Sequence, residues 1–358
     1  MESRMVSQFL EMVKIDSESG NEENFITYLE KEFQSIGAET HIDSYGNLLG
    51  RFSALNAKND IPILLSCHAD TVKPGIGINP VIENGVIRSD GKTILGADDK
   101  AGIAEMLEAL RTADTRPLVE FAITRQEEVG LIGVQNLDFN WLSAKKGYLL
   151  DNDTLDTVVI GGPSYFTLDV EIKGKSAHAG MEPEKGISAV LAASRAISAL
   201  PLGRIDEETT SNVGVIQGGI IRNGVPEETS FLAECRSLNH TKAEELAKKM
   251  ETIIRGKVES TGAIVKITVN NPFRAVQISK DSETIQVSIQ ALKAAGVKAK
   301  TGFITGFTDA SIYNNKGIEM AVVGIGAQLE HSLEEHIHIA DMEKALKMIL
   351  EILRISAQ

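Results

Sequence analysis

Cysteine is scarce in this sequence: 358 residues carry two, Cys67 and Cys235. They stand far apart in apolar, strand-like runs, which excludes a disulfide framework and fits a reducing compartment. Cys67 is next to a histidine, but its place in an apolar run reads as a core thiol rather than a soft metal ligand. Long hydrophobic runs are missing too. None approaches the ~20 residues of a membrane span, so no membrane partner is expected. The stretch from Met1 to Lys14 has no continuous apolar segment behind a basic end, so no secretion signal is expected and the cytoplasm is the expected location. Positive charge is in deficit, with 36 Lys and Arg against 50 Asp and Glu, a net charge of −14. A phosphate backbone needs clustered Lys and Arg, so nucleic acid is not an expected partner. The lysines between Lys242 and Lys249 sit beside glutamates on a helical pattern and read as a solvated face.

What is present is ordinary globular material, 42% hydrophobic and 24% charged, in a chain long enough for two domains. Ser19-Gly20-Asn21-Glu22 has the pattern of a capping box opening a helix to about Phe33, which Gly37 stops. Strands are expected near 39–44 and 47–53. The continuous apolar run Ile61 to Cys67 predicts a buried strand. A helix follows over 101–111, then strands at 118–124 and 148–150. This alternation predicts an α/β fold, a mostly parallel sheet flanked by helices. After Gly161-Gly162-Pro163 the order becomes strand 165–172, helix 186–199, strands 210–216 and 229–237, helix 242–254 and strand 265–269. That βαββαβ order predicts an inserted ferredoxin-like α+β domain over 163–271, leaving at Asn271-Pro272. Residues 1–162 and 272–358 then form one discontinuous domain, closed by a helix at 342–355.

Five short motifs outside the insert carry chemistry. His68-Ala69-Asp70 ends the buried strand, where residues two apart face one way, so His68 can ligate a metal while Asp70 orients its ring. Gly96 to Gly102 places Asp98 and Asp99 before a helix, where acids can be simple caps or, for Asp98, a bridge between two ions. Arg125-Gln126-Glu127-Glu128-Val129-Gly130 follows another apolar strand and can aim two carboxylates at neighbouring points. Asp151 closes a strand, and His331 lies in a loop before the last helix. Each alone reads as a polar strand end, a cap or a solvated loop. Together, His68, Asp98, Glu128 and Asp151 fall at or just after strand ends, the edge where parallel sheets place ligand sites. The mix of imidazole and carboxylate suits Zn²⁺, Co²⁺ or Mn²⁺.

These motifs, with Ile15 to Gly20 and Gly174-Lys175-Ser176-Ala177-His178-Ala179-Gly180, resemble the zinc-dependent exopeptidases that include aminoacylases and carboxypeptidase G. Within them the chain is similar to the peptidase T-like tripeptide aminopeptidases, over essentially its whole length. The resemblance implies two divalent ions, one held by His68, Asp98 and Asp151, the other by Asp98, Glu128 and His331. Glu127 becomes the general base and acid, and a cis peptide joins Asp98 to Asp99. It implies further that the insert is a lid and dimerisation domain, giving a homodimer, and that His178 hydrogen-bonds the tetrahedral oxyanion, in some relatives from the partner subunit.

Asn223, Arg236, Gly306 and Thr308 match substrate contacts, Arg236 after Glu234 where relatives often carry Asp. Phe307 replaces a glycine of the Gly-Gly-Thr-Asp pattern, and Thr305 stands where peptidase T tends to have Arg. The substrate implied is a short peptide; a deacylase acting on N-acyl amino acids with the same site, and an inactive binding protein on the same fold, are the alternatives. His336 and His338 alternate on a strand-like run and compete with His331 as ligands, while His41 and His240 read as surface residues.

Overall fold

The computed structural model describes residues 3–358, which form two compact units. The larger comprises residues 3–161, Gln277–Phe303 and Phe307–Gln358, and the smaller Gly162–Val276 with Ile304–Gly306. The smaller unit thus runs five residues past the sequence-based exit. The strand Ile264–Phe273 runs on past Asn271-Pro272, where its register against Tyr165–Thr167 shifts. It is an edge strand, where the missing N–H of a proline need not break the ladder.

The larger unit is built on an eight-stranded sheet. Its centre is four parallel strands in the order Val119–Thr124, Ile63–His68, Lys146–Asn152, Glu319–Gly324. Antiparallel strands Glu39–Ile42 and Leu48–Phe52 form one edge. Every residue of Ile63–His68 and Val119–Thr124 is buried, Glu120 included, as strands covered on both faces require. Ser66 and His68, two apart, share one face: Ser66 Oγ lies 3.0 Å from the Tyr313 hydroxyl of the short helix Ala310–Asn315, and the His68 backbone N–H donates to Asp99 at the start of the helix Ala97–Thr112. The long helix Ile339–Ser356 buries Met342, Ala345, Met348, Ile349, Ile352 and Leu353 at helical spacing.

The expected capping box at Ser19 is not formed. The helix runs Glu23–Ser35 with Glu22 at its N-cap and no side-chain cap. Ser19 Oγ instead donates to Asp70 Oδ2 at 2.7 Å. A tertiary partner has taken the hydroxyl that local pattern assigned to the helix.

The smaller unit is a five-stranded antiparallel sheet with two helices, Ala189–Ile197 and His240–Glu259. Its four long strands lie in the order Thr209–Gly218, Glu228–Ser237, Ser164–Lys173, Ile264–Phe273, the ferredoxin-like arrangement. Leu168, Val170, Ile172, Phe231, Ala233 and Cys235 alternate inward against Ala192, Ala196, Leu246 and Met250 of the helices. His240 is not a plain surface residue: its Nδ1 lies 2.8 Å from Ser164 Oγ and its ring stacks on Phe166. Likewise His41 stacks on Trp141. Among the described residues, no helix is long and apolar enough to cross a membrane.

Candidate metal centre

The parallel strands deliver their side chains to one edge. His68 is the last residue of its strand, Glu127 and Glu128 follow Thr124, and Asp151 lies one residue before its strand ends. Asp98 is contributed by the cis-linked Asp98-Asp99 pair at the start of the helix Ala97–Thr112. His331 comes from a loop and adopts a left-handed backbone, φ 59°.

These residues converge. His68 Nε2 lies 3.0 Å from Asp98 Oδ1 and 3.6 Å from Asp151 Oδ1. His331 Nε2 lies 3.2 Å from Asp98 Oδ2 and 2.8 Å from Glu128 Oε1. Asp98 therefore turns one oxygen toward each imidazole, and each imidazole has a second carboxylate of its own. Asp151 Oδ2 is buried and has no hydrogen-bond partner.

The electrostatics show a site short of positive charge. Burial lowers the basicity of His68, but Asp151, Asp70 and Asp98 outweigh it and hold the imidazole well above its ordinary value. Hydrogen bonds that the His331 ring donates to Asp98 and Glu128 raise it to about 10. Burial raises the Asp151 carboxyl to about 6 despite His68. Burial pushes Glu127 up as well, with Asp151 adding to it. Acids crowded beyond the imidazoles' capacity to neutralise them, with a buried oxygen unpartnered, are a donor set that fits divalent cations. His68, Asp98 and Glu128 bring ligand atoms within 4.8 Å of one another, as do His68, Asp99 and Asp151. In the second group Asp99 Oδ2 accepts from the His68 backbone N–H at 3.1 Å, while its Oδ1 is buried without a hydrogen-bond partner.

Asp70 does more than orient a ring. The nearest partner of His68 Nδ1 is the carbonyl oxygen of Asp70 at 2.9 Å, with the carboxylate at 3.5 Å. That carboxylate accepts from the backbone N–H of Glu127 at 2.9 Å and of Glu128 at 3.2 Å, and from Ser19. One buried side chain thus fixes the turn that carries both glutamates. His336 and His338 do not join the centre; they lie on a strand Ala327–Gln328 pairs with, and their rings face each other at 5.7 Å.

Within the smaller unit, His178 and Asn223 come together. Ala177–His178 pairs with Gly224–Val225, and the Ala179 N–H donates to the Asn223 carbonyl at 3.0 Å. His178 Nδ1 accepts from the N–H groups of Gly180 and Met181, both at 3.2 Å. With Nδ1 accepting, Nε2 is the ring nitrogen left to donate. Arg236 is not part of this group. It sits at the other end of the strand Glu228–Ser237, bound to Glu234 at 2.7 Å and lying over the Tyr165 ring.

In the remaining motif, Gly306 has open space where a Cβ would stand, so its conformation does not demand glycine. Thr308 Oγ1 is buried without a partner. The neighbouring Asp309, to which the sequence assigned no role, is fully buried, accepts from Thr124 Oγ1, and is raised to about 7 by burial.

Comparison with known proteins places this arrangement. Residues 161–261 match the peptidase dimerisation domain model of the M20 family, and 47–196 match the model of peptidase family M28. Full-length relatives decide between the two. The Bacillus subtilis protein YqjE, described as uncharacterized, is 35% identical over 100% of this chain and 99% of its own length. The solved aminopeptidase PepT of Bacillus cereus is 35% identical with a TM-score of 0.88, covering 99% of this chain and 98% of that one. A solved tripeptidase of Staphylococcus aureus is 34% identical with a TM-score of 0.91 and the same coverage. The chain belongs to the M20 family of metallopeptidases, in its peptidase T-like group.

Proposed function

We propose that the protein is an aminopeptidase acting on tripeptides through two divalent ions, with zinc the first choice and cobalt or manganese the alternatives. The observation that carries the reading is Asp98, whose two oxygens face His68 and His331 separately. His68, Asp98 and Asp151 would hold one ion and Asp98, Glu128 and His331 the other. When bound, the pair supplies an activated water and polarises the scissile carbonyl. The chain's own groups do the rest. Glu127, anchored through its backbone to Asp70, takes a proton from the attacking water and returns it to the leaving amine, a role typically worth about 10²–10⁴-fold. His178 donates Nε2–H to the oxyanion, with Asn223 beside it. Arg236, Gly306 and Thr308 contact the peptide, Arg236 by its terminal carboxylate.

The positions of His178 and Arg236 support a homodimer. Eight strand residues separate Glu228 from Arg236, about 26 Å, whereas an extended tripeptide spans about 10 Å. His178 and Asn223 lie beyond the Glu228 end of that strand, which supports their acting on a substrate held by the partner subunit. Both cysteines are free and buried, in keeping with a cytoplasmic enzyme.

The deciding assay compares Ala-Ala-Ala with an N-acetyl amino acid on protein reconstituted with zinc. Release of the first alanine, with the acetylated compound untouched, is expected; the opposite preference would replace this reading with a deacylase.

A further inference from the structure

Glu335 stands in none of the motifs read from the sequence and is not a ligand of the metal centre. Glu335 is 1% exposed, yet its oxygens are not held by the hydrogen bonds of a basic side chain. Instead it collects four consecutive backbone N–H groups. Oε2 accepts from Leu95 at 2.7 Å and Gly96 at 2.8 Å, and Oε1 from Ala97 at 2.7 Å and Asp98 at 3.1 Å. Two features of the backbone turn these donors inward. Gly96 is left-handed, φ 70°, which makes successive N–H groups converge on a concave anion site. The segment also opens the helix Ala97–Thr112, whose first N–H groups have no partner within the helix and whose dipole favours a negative charge.

Glu335 closes the turn that starts at His331, its N–H donating to Ser332 O at 3.2 Å. Five residues therefore grip Asp98 twice. The His331 ring reaches carboxylate oxygen Oδ2, and the Glu335 carboxylate holds the Asp98 backbone N–H. A carboxylate that divides its oxygens between two positions must be held at its root, because rotation of the backbone by a few degrees would turn one oxygen away. We infer that Glu335 is a positioning residue for the metal centre, fixing the Leu95–Asp98 backbone so that Asp98 faces both ion positions before any ion arrives. It also locks the His331 loop to the Asp98 loop, so two of the three ligands of the second position move as one.

This rests on the two-ion reading, and the test separates the two. Metal-free wild type and Glu335→Gln are titrated with Zn²⁺ against a competing chelator, and their thermal unfolding is followed without metal. Glutamine keeps the volume but turns an amide NH₂ toward backbone donors. The expected result is an affinity for the ions about 10–100-fold weaker, the size seen when groups orienting metal ligands are removed. A variant with wild-type affinity and only a lower unfolding midpoint overturns the inference, leaving Glu335 a structural cap. Wild type that fails to take up two ions removes the centre itself, a different result. If Glu335→Gln does not fold, amide exchange in metal-free wild type decides. Protection at Gly96, Ala97 and Asp98 supports a clamp set in advance, and exchange at unstructured rates overturns it.

Discussion

At the scale of single residues, the centre depends on buried groups whose partners are few and specific. Glu127 is 8% exposed, and its backbone is held by Asp70 rather than by its own side chain. Glu127→Ala should therefore leave the ions bound and lower kcat by about 10²–10⁴-fold, measured by peptide turnover alongside elemental metal analysis. Loss of metal in that variant would mean Glu127 is a ligand. Ser19→Ala removes a hydrogen bond to the Asp70 carboxylate, and should cost about 1.5–3 kcal/mol in a urea titration.

Glu105 makes a third case, outside the metal centre. It is fully buried, neither oxygen has a partner, and burial first and Asp99 second push its carboxyl well above the ordinary range. The folded chain keeps this proton where the unfolded chain releases it, so the favourable linkage is intact below about pH 4.3 and fades as pH rises above that value. Glu105→Met, which has no carboxyl to ionise, should gain stability over wild type as pH goes from 5 to 8 in chemical denaturation. A difference independent of pH would contradict the assignment.

At the scale of elements, the centre follows from where parallel strands end. Ile63–His68 was legible as a continuous apolar run and Val119–Thr124 as a further strand because both their faces are covered, and the residues at their ends were legible as candidates for the same reason. What local pattern could not show was how the chain returns. Ser19 has the spacing of a helix cap but bonds Asp70, which is 51 residues on. Glu335 carries no periodic signal, since its partners are backbone groups some 240 residues earlier. Arg236 fell in a recognisable stretch, but which end of the sheet it occupies depends on strand pairing.

Packing between elements is tight where the centre is built. A Cβ on Gly102 would stand 2.7 Å from the Leu150 carbonyl and 3.0 Å from Ile325, and would press on Asp99. Alanine favours a helix by about 1 kcal/mol over glycine, yet Gly102→Ala should lower stability by about 1–3 kcal/mol through overpacking. Thermal unfolding that rises instead would show the helix can shift.

At the scale of the whole molecule, the account requires two ions per chain and cooperation between subunits. Mixing inactive Glu127→Ala and His178→Ala proteins should restore part of the turnover, because a mixed dimer contains one site with both groups intact. No recovery would assign His178 to its own subunit.

The most direct test of the centre is ion stoichiometry, measured by calorimetric titration of Zn²⁺ into chelator-treated wild type and Asp98→Asn. The account predicts two ions per chain in wild type and weakened binding of both in the variant, since one carboxylate serves the two positions. Two ions bound by Asp98→Asn with wild-type affinity would contradict it.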